Sequence, residues 1–226
     1  NSGFEDWYTD SDGLPKPAKD ASSSFWDCGN VNYFGKHIMT TQNDETALGQ
    51  GSSVKMETQE TMKIIAAGNI FTGTFERDGM GGILTLGRNF ECRPNKLKGY
   101  YKYTSAKVSV SKGHLNEGED DLCSLYIALT DEQITVNTNK GIYFDPNSSA
   151  VIAYGSISDE ESKGADSFKE FTVDLEYKDL KRIPKYIIVV ASSSKYGDYM
   201  EGGKGSTMWL DDLELVYPKS MEEVRK

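Results

Sequence analysis

Residues 122–130, Leu-Cys-Ser-Leu-Tyr-Ile-Ala-Leu-Thr, alternate between two kinds of side chain. One set is apolar: Cys123, Leu125, Ile127 and Leu129. The set between them is more polar: Ser124, Tyr126, Ala128 and Thr130. Because successive side chains of a β-strand point to opposite faces, this stretch predicts a strand with one face against a core.

Similar period-two stretches recur along the chain, separated by Gly, Asn and Asp. Residues 187–190 are apolar on both faces, which is typical of a central strand. The other predicted strands are residues 64–75, 83–86, 98–110, 134–137, 151–154, 168–177, 185–192 and 207–217. Many short strands without alternating helices indicate an all-β fold, a jelly-roll β-sandwich of antiparallel strands. We expect residues 1–217 to form a single domain, followed by a short tail, residues 218–226, that is helical or frayed.

The composition excludes two classes of partner. The chain of 226 residues carries 25 Lys and Arg against 35 Asp and Glu, a net charge of −10. Nucleic-acid binding depends on clustered basic residues, so we expect no nucleic-acid partner. The longest apolar run is about six residues, whereas roughly 20 are needed to cross a bilayer, so we expect no transmembrane segment.

The cysteines and histidines do not form a metal-binding or disulfide pattern. Cys28, Cys92 and Cys123 are too few and too scattered for a disulfide scaffold, and we expect three buried small hydrophobic side chains, although one pair could form a bridge. His37 and His114 have no paired-ligand spacing, which argues against a catalytic zinc site.

The two ends of the chain each place a carboxylate among apolar side chains. In the predicted last strand Asp211 shares a face with four apolar or aromatic residues, Trp209, Leu213, Leu215 and Tyr217. Near the start, Glu5 lies between Phe4 and Trp7. A buried carboxylate costs several kcal/mol unless it is paired, and a calcium ion between Glu5 and Asp211 would solve both problems. The alternative is two ordinary carboxylates that cap turns or face solvent beside a bulge.

These ends resemble the jelly-roll carbohydrate-binding modules of families 4 and 22. The similarity lies in the Gly-Phe-Glu near the start and the aromatic-x-Asp-Asp ending. In those modules a structural calcium is held by the first and last strands, and the resemblance assigns the corresponding ligands here to Gly3, Glu5 and Asp211.

The middle of the chain resembles a different group, the putative carbohydrate metabolism domain family of Bacteroidetes. The similar segments are FWDCGN at 25–30, AAGNIFTG at 66–73, FECRP at 90–94, LKGYYKY at 97–103, SSSKYGDY at 192–199 and GKGSTMWLDDLELVY at 203–217. The resemblance implies an exported protein, periplasmic, outer-membrane-associated as a lipoprotein, or on the cell surface. The chain starts at Asn1 without Met or a charged-then-apolar leader, so we expect either a mature chain after removal of a leader or a cut piece of a longer protein. Either leaves room for a neighbouring domain in the full-length protein.

Four residues are candidates for binding a sugar. Sugar sites stack apolar sugar faces on aromatic rings and bind hydroxyls with planar polar groups. Tyr126 stands opposite the apolar face of its strand, Tyr101 lies in the tyrosine-rich strand, and Trp26 is in a polar segment where an exposed indole would be unusual without a ligand. Arg93, fixed ahead of a proline, could bind hydroxyls or a carboxylate. The alternative for each aromatic is packing in the core or at its rim.

These features support three functions. The first is non-catalytic binding of an oligosaccharide or polysaccharide by an exported jelly roll with a structural calcium, in polysaccharide capture or utilisation. The second is a glycoside hydrolase, which needs two facing carboxylates. Asp198, in a Gly-rich loop, either binds a ligand or caps a turn. The third is a structural or adhesin-like surface domain whose aromatics are all buried.

Overall fold

A computed structural model describes residues 1–218, which contain twenty strands and four single turns of 3₁₀ helix. The strands are β1 Tyr8–Thr9, β2 Pro15–Lys16, β3 Trp26–Asp27, β4 Val31–Asn32, β5 Lys36–His37, β6 Thr40–Asn43, β7 Ser53–Glu57, β8 Gln59–Thr61, β9 Ile64–Ala66, β10 Asn69–Asp78, β11 Gly81–Leu86, β12 Arg88–Asn89, β13 Lys96–Thr104, β14 Ser124–Thr130, β15 Ile134–Asn137, β16 Val151–Ser156, β17 Ala165–Asp174, β18 Glu176–Tyr177, β19 Tyr186–Ser192 and β20 Thr207–Val216. The 3₁₀ turns are Ala21–Ser23, Thr138–Lys140, Glu161–Lys163 and Gly197–Tyr199. Residues 219–226, which make up nearly all of the expected tail, lie outside the described residues.

Two antiparallel sheets face each other. The larger has nine strands in the order β15-β11-β10-β19-β14-β16-β18, with β3 and β12 paired to β10 and β19. The smaller has the order β17-β13-β20-β7-β6. This arrangement confirms the all-β jelly-roll sandwich expected from the sequence. The assignment of residues 1–217 to one domain stays a prediction.

The main core lies between the sheets and is built as the alternation predicts. The apolar face of β14 enters it, with Cys123 just before the strand and Leu125, Ile127 and Leu129 within it, each at most 1% exposed. Phe171 of β17 meets them from the smaller sheet. Fully burying an aliphatic or phenyl side chain contributes roughly 1.5–3 kcal/mol, so this cluster dominates the stability of the sandwich.

A second, smaller core covers the outer face of the larger sheet, the face turned away from the smaller sheet. Its buried members come from five strands: Phe71, Leu84, Leu86, Ala128, Val136 and Ile188. In β19 Ile187 and Val189 point into the main core while Ile188 points into this second one, which confirms that residues 187–190 are covered on both faces. The second core forms the floor of the cleft described below.

A β-bulge in β20 corrects the face predicted for the last strand. Lys98 and Tyr100 of β13 pair with Glu214 and Asp211, so two residues of β20 lie between their partners where regular pairing leaves one. Asp212, one of these two residues, adopts a positive φ of 47°. The extra residue reverses the alternation, so the inward side chains are Met208 and Leu210 before the bulge and Leu213 and Leu215 after it. The prediction that Trp209 and Asp211 share the face of Leu213 and Leu215 is therefore wrong, because Asp211 pairs with Tyr100 on the outer side of β13. Trp209 lies on the outer side, with the Lys102 ammonium 4.4 Å from its ring centroid.

The three cysteines are free thiols, and their environments differ. Cys28 and Cys123 are buried as expected, and burial raises the pKa of each thiol to about 12. Cys92 is exposed, so the prediction that all three are buried is wrong for this residue. Within residues 1–218 no helix is long and apolar enough to cross a membrane.

Candidate functional site

A cleft with a cavity of about 400 Å³ opens on the outer face of the larger sheet. Tyr126 of β14 and Tyr154 of β16 reach it as diagonal neighbours, because Ala128 pairs with Tyr154 and Tyr126 pairs with Ser156. Phe144, from the loop after the Thr138–Lys140 turn, stacks on Tyr126 with ring centroids 4.9 Å apart and an interplanar angle of 18°. Together these three partly exposed rings form one wall of the cleft, which we call the aromatic wall.

A second group of rings extends the aromatic wall. Tyr143 and Tyr199 lie 4.0 Å apart between ring centroids, and both border the cavity, as does Tyr196. The His114 imidazole stacks on Tyr196 from behind, at 4.4 Å and 16°. The position of these rings therefore depends on what holds His114.

Glu201 holds the His114 loop from inside the protein. Its carboxylate is fully buried and accepts hydrogen bonds from the backbone N–H groups of Lys112, His114 and Leu115. The His114 Nδ1 lies 3.0 Å from its Oε2. Burial acts to raise the Glu201 pKa, but these hydrogen bonds outweigh it and lower the pKa. Glu201 is thus an ionised anchor for the rings above it.

Asp198 brings an unpaired carboxylate into the cleft. It lies in the 3₁₀ turn Gly197–Tyr199, which packs so closely on the link between β9 and β10 that a Cβ at Gly197 would be 2.4 Å from the Ala67 Cβ. Among the described residues its carboxylate has no hydrogen-bond or ion-pair partner, and burial raises its pKa. The pKa of Tyr126 is also raised, first by burial and then by the charge of Asp198. A carboxyl group in this position can donate a hydrogen bond to a ligand when protonated and accept one from it when ionised.

An ion pair borders the other side of the same cavity. The Lys195 Nζ lies 3.0 Å from the Asp159 Oδ1, and both residues line the cavity. The hydrogen bond and charge of Lys195 lower the Asp159 pKa. The cleft therefore combines flat apolar rings with tyrosine hydroxyls, an ammonium and two carboxyl groups. Such a surface can stack against the apolar face of a sugar and hydrogen-bond its hydroxyls.

Of the four residues predicted to bind a sugar, Tyr126 lies in the cleft and the other three lie elsewhere. Trp26 is 5% exposed and packs on Phe4 in the main core, so the expectation of an exposed indole is wrong. Tyr101 is fully buried, and its hydroxyl donates to the Glu161 carbonyl. Arg93 donates to the Arg182 carbonyl and lies 5.5 Å from the Tyr177 ring centroid.

Most of the aromatic wall was missed by the sequence reasoning. Tyr143 and Phe144 form an aromatic doublet in a polar loop, and Tyr154 is the partly exposed residue of an otherwise buried strand segment. The doublet was a usable signal, since two adjacent aromatic residues in a loop cannot both be buried easily. Nothing in the sequence around His114 indicates its contribution, because His114 and Tyr196 are far apart in the chain and come together only in the folded protein.

The three residues predicted to bind calcium lie where the chain ends meet. The N-terminal segment runs beside the bulge of β20, and the Leu213 N–H donates to the Ser2 carbonyl at 3.0 Å. A Cβ at Gly3 would be 3.2 Å from the Asp212 Oδ1 and 3.4 Å from the Glu5 Oε1. Residues 2–5 form no strand, which differs from the first strand that holds calcium in the modules these ends resemble.

The chemistry of these end residues suits a hard cation. Asp211 is 2% exposed; burial raises its pKa, and the charges of Asp212 and Glu5 raise it further. Within residues 1–218 none of these three carboxylates forms an ion pair with Lys, Arg or His. Each Asp211 oxygen accepts one backbone N–H, from Ala47 and from Asp212, and keeps a second lone pair. Among the described residues no group of three acidic, His or Cys side chains is placed to hold a metal.

Comparison with known proteins gives a family and a fold. The family model for the putative carbohydrate metabolism domain matches residues 3–216. No curated protein sequence matches the chain. A putative glycoside hydrolase structure from Bacteroides thetaiotaomicron aligns with a TM-score of 0.71 at 23% identity, covering 97% of this chain and 71% of its own. A second, from Bacteroides vulgatus, aligns with a TM-score of 0.68 at 20% identity, covering 95% and 96%. At these identities the similarity establishes a shared fold.

Proposed function

The chain belongs to the putative carbohydrate metabolism domain family, and from this premise we propose that it binds a glycan in the cleft of the larger sheet. The ligand is an oligosaccharide or a segment of a polysaccharide. Binding serves polysaccharide capture or utilisation by an exported protein at the cell surface or in the periplasm.

One observation carries this proposal: partly exposed rings and an unpaired carboxyl group border the same cavity. Tyr126, Tyr154 and Phe144 offer ring faces for stacking, and Asp198 lacks a partner that a sugar hydroxyl would supply. The Asp198 oxygens are not enclosed by atoms of residues 1–218, so they remain available to a hydroxyl of a ligand in the cavity. Because the rings already pack on one another, little ordering is needed when a sugar binds.

Isothermal titration calorimetry against plant, host and microbial glycans tests the binding role. We expect wild type to bind at least one glycan, and Tyr154→Ala to weaken that binding roughly three- to tenfold through loss of one stacking face. Tyr100→Ala is the matched control, because Tyr100 is partly exposed on the outer side of the smaller sheet. Absence of binding by wild type down to millimolar affinity, or equal weakening by the control, would overturn the proposal.

The proposal includes a structural calcium at the chain ends. Glu5 and Asp211 would hold the ion, with the backbone near Gly3 supplying a further oxygen. The bound ion would neutralise carboxylates that otherwise repel one another and would fix the N-terminal segment against β20.

Glycoside hydrolysis is a second candidate function, favoured by the pair of acids in the cavity. The pKa of Asp198 is raised by burial, whereas that of Asp159 is lowered by Lys195. Opposite shifts in one site are typical of an acid and a base that share a reaction. If wild type releases reducing sugar from a polysaccharide and Asp198→Asn does not, the result would favour hydrolysis. Glycan binding without release of reducing sugar would support the binding function and contradict hydrolysis.

A further inference from the structure

The cleft does not end at Asp198. Two further cavities on the same face of the larger sheet adjoin the first, and Asp198 borders all three. The middle cavity shares Tyr126 and Lys195 with the first, and shares Asn69 and Leu84 with the third. The three cavities therefore lie in a row, the middle one being the smallest at about 60 Å³. We call this row the groove; the aromatic wall lies on one side of Asp198, and a cavity of about 130 Å³, the second arm, lies on the other.

Three hairpins build the second arm. Residues 31 and 33 come from the β4–β5 hairpin, residues 65–67 from the end of the β8–β9 hairpin, and residues 79–82 from the β10–β11 turn. Two positions of this turn have no room for a side chain: a Cβ at Gly82 would lie 2.3 Å from the Phe75 ring, and a Cβ at Gly81 would lie 2.5 Å from the Thr138 hydroxyl. The glycines at 79, 81 and 82 leave the Phe75 ring beside the groove, and Met80 is the one residue of the turn with a side chain.

The surface of the second arm repeats the chemistry of the first. Tyr33 borders it, and the Arg77 guanidinium lies 4.3 Å from the Tyr33 ring centroid. Of the Arg77 donors, Nη1 bonds the Gly79 carbonyl, and no other has a hydrogen-bond partner among residues 1–218. The hairpin tips carry exposed apolar side chains, with Phe34 94% and Met80 66% exposed. Aromatic rings and polar side chains thus lie on both sides of Asp198.

The order of strands gives the groove its length. The second arm rests on β11 and β10, and the aromatic wall rests on β14 and β16, with β19 between them. From β11 to β16 there are four steps between neighbouring strands, each about 4.8 Å, so the groove spans roughly 19 Å. That length exceeds a single sugar ring and fits several rings in a row.

We propose that the groove binds an internal segment of a linear polysaccharide, which crosses the strands with Asp198 near its middle and occupies both arms. This inference rests on the proposed glycan-binding function and deepens it by defining the ligand class. A chain end or a disaccharide fills only one arm, and the second arm then contributes nothing to its affinity.

Calorimetry with oligosaccharide ladders tests this inference. The probes are β-1,4-galactan, arabinan, xylan and β-1,3-glucan, each with its disaccharide, tetrasaccharide and hexasaccharide. For any glycan that binds, we expect affinity to rise from disaccharide to hexasaccharide. Tyr33→Ala and Arg77→Ala should each weaken hexasaccharide binding roughly three- to tenfold while leaving disaccharide binding unchanged. Tyr154→Ala, on the first arm, should weaken both.

The outcomes separate this inference from the function beneath it. A wild-type affinity that stops rising at the disaccharide, or a hexasaccharide affinity unaffected by both second-arm variants, overturns the inference and leaves glycan binding intact. No binding of any probe by wild type overturns both. The melting temperature of each variant confirms that its fold is retained, and Tyr33 and Arg77 are suitable because neither is buried.

Discussion

Removal of the Glu201 carboxylate should destabilise the protein and loosen the aromatic wall. In Glu201→Ala the backbone N–H groups of Lys112, His114 and Leu115 lose a buried, ionised acceptor. Hydrogen bonds to charged groups contribute about 1.5–3 kcal/mol each. The lower end applies, because the loop can regain water once released, the His114 side chain being already 34% exposed. The free energy of unfolding should fall by about 4–5 kcal/mol.

Thermal unfolding followed by circular dichroism at pH 7 measures this loss. For a chain of this size each kcal/mol shifts the melting temperature by about 2–4 °C, so we expect a decrease of about 10–15 °C. Glu119→Ala is the matched control, because Glu119 is an exposed acid close in sequence to the His114 loop, and its carboxylate contacts Asn116. It should change the melting temperature by less than about 3 °C. A Glu201→Ala variant that melts within 2 °C of this control would refute the reasoning.

The pH dependence provides an independent check on Glu201. Its folded-state pKa is lowered below the ordinary value of 4.5, so its stabilising effect is present above pH 4.5 and is lost as the pH falls through the folded-state pKa. The difference in unfolding free energy between wild type and Glu201→Gln should therefore shrink in acid. A difference that stays constant from pH 7 to pH 3 would contradict the assignment of an ionised anchor.

Three other perturbations test the groove and the chain ends. Burial raises the Asp198 pKa above 3.8, so ionisation of this carboxyl group destabilises the fold. In urea unfolding, the stability of Asp198→Asn relative to wild type should therefore increase as the pH rises through the raised pKa. A stability difference that does not change with pH would contradict this. Gly197→Ala should lose about 1–3 kcal/mol in the same assay, because its Cβ would be 2.4 Å from that of Ala67, and an unchanged midpoint would contradict the close packing of the turn. If calcium binds at the ends, a chelator should lower the melting temperature of wild type but not that of Asp211→Ala, whereas no effect on wild type would rule out a stabilising ion.

The sequence was sufficient for the fold because alternation is a local signal. The alternation in residues 122–130 predicts a strand and its core-facing side, and the apolar run 187–190 predicts a strand covered on both faces. The structure confirms both. The prediction fails at β20, where Asp212 adds one residue to the strand and reverses the faces beyond it. A bulge depends on the partner strand as well as on the residue itself, so alternation within one strand could not reveal it.

The site was harder to predict than the fold, for a physical reason. Tyr126 was found because its own strand gives its orientation. Trp26 was misplaced because its polar neighbours suggested a loop, whereas its ring packs into the main core against Phe4. Asp198 and the rings around it converge from separate loops and strands. Their proximity follows from tertiary packing. The sequence could therefore indicate individual residues such as Tyr126, whereas the arrangement of the site could not be predicted from it.

The most direct test of the central claim is to map a bound glycan onto the protein by nuclear magnetic resonance. Amide resonances would be assigned and followed during titration with hexasaccharides of the four polysaccharides named above. The account predicts shifts concentrated around Tyr126, Tyr154 and Asp198, continuing to Tyr33. Shifts concentrated on the smaller sheet, or none with any hexasaccharide, would contradict it.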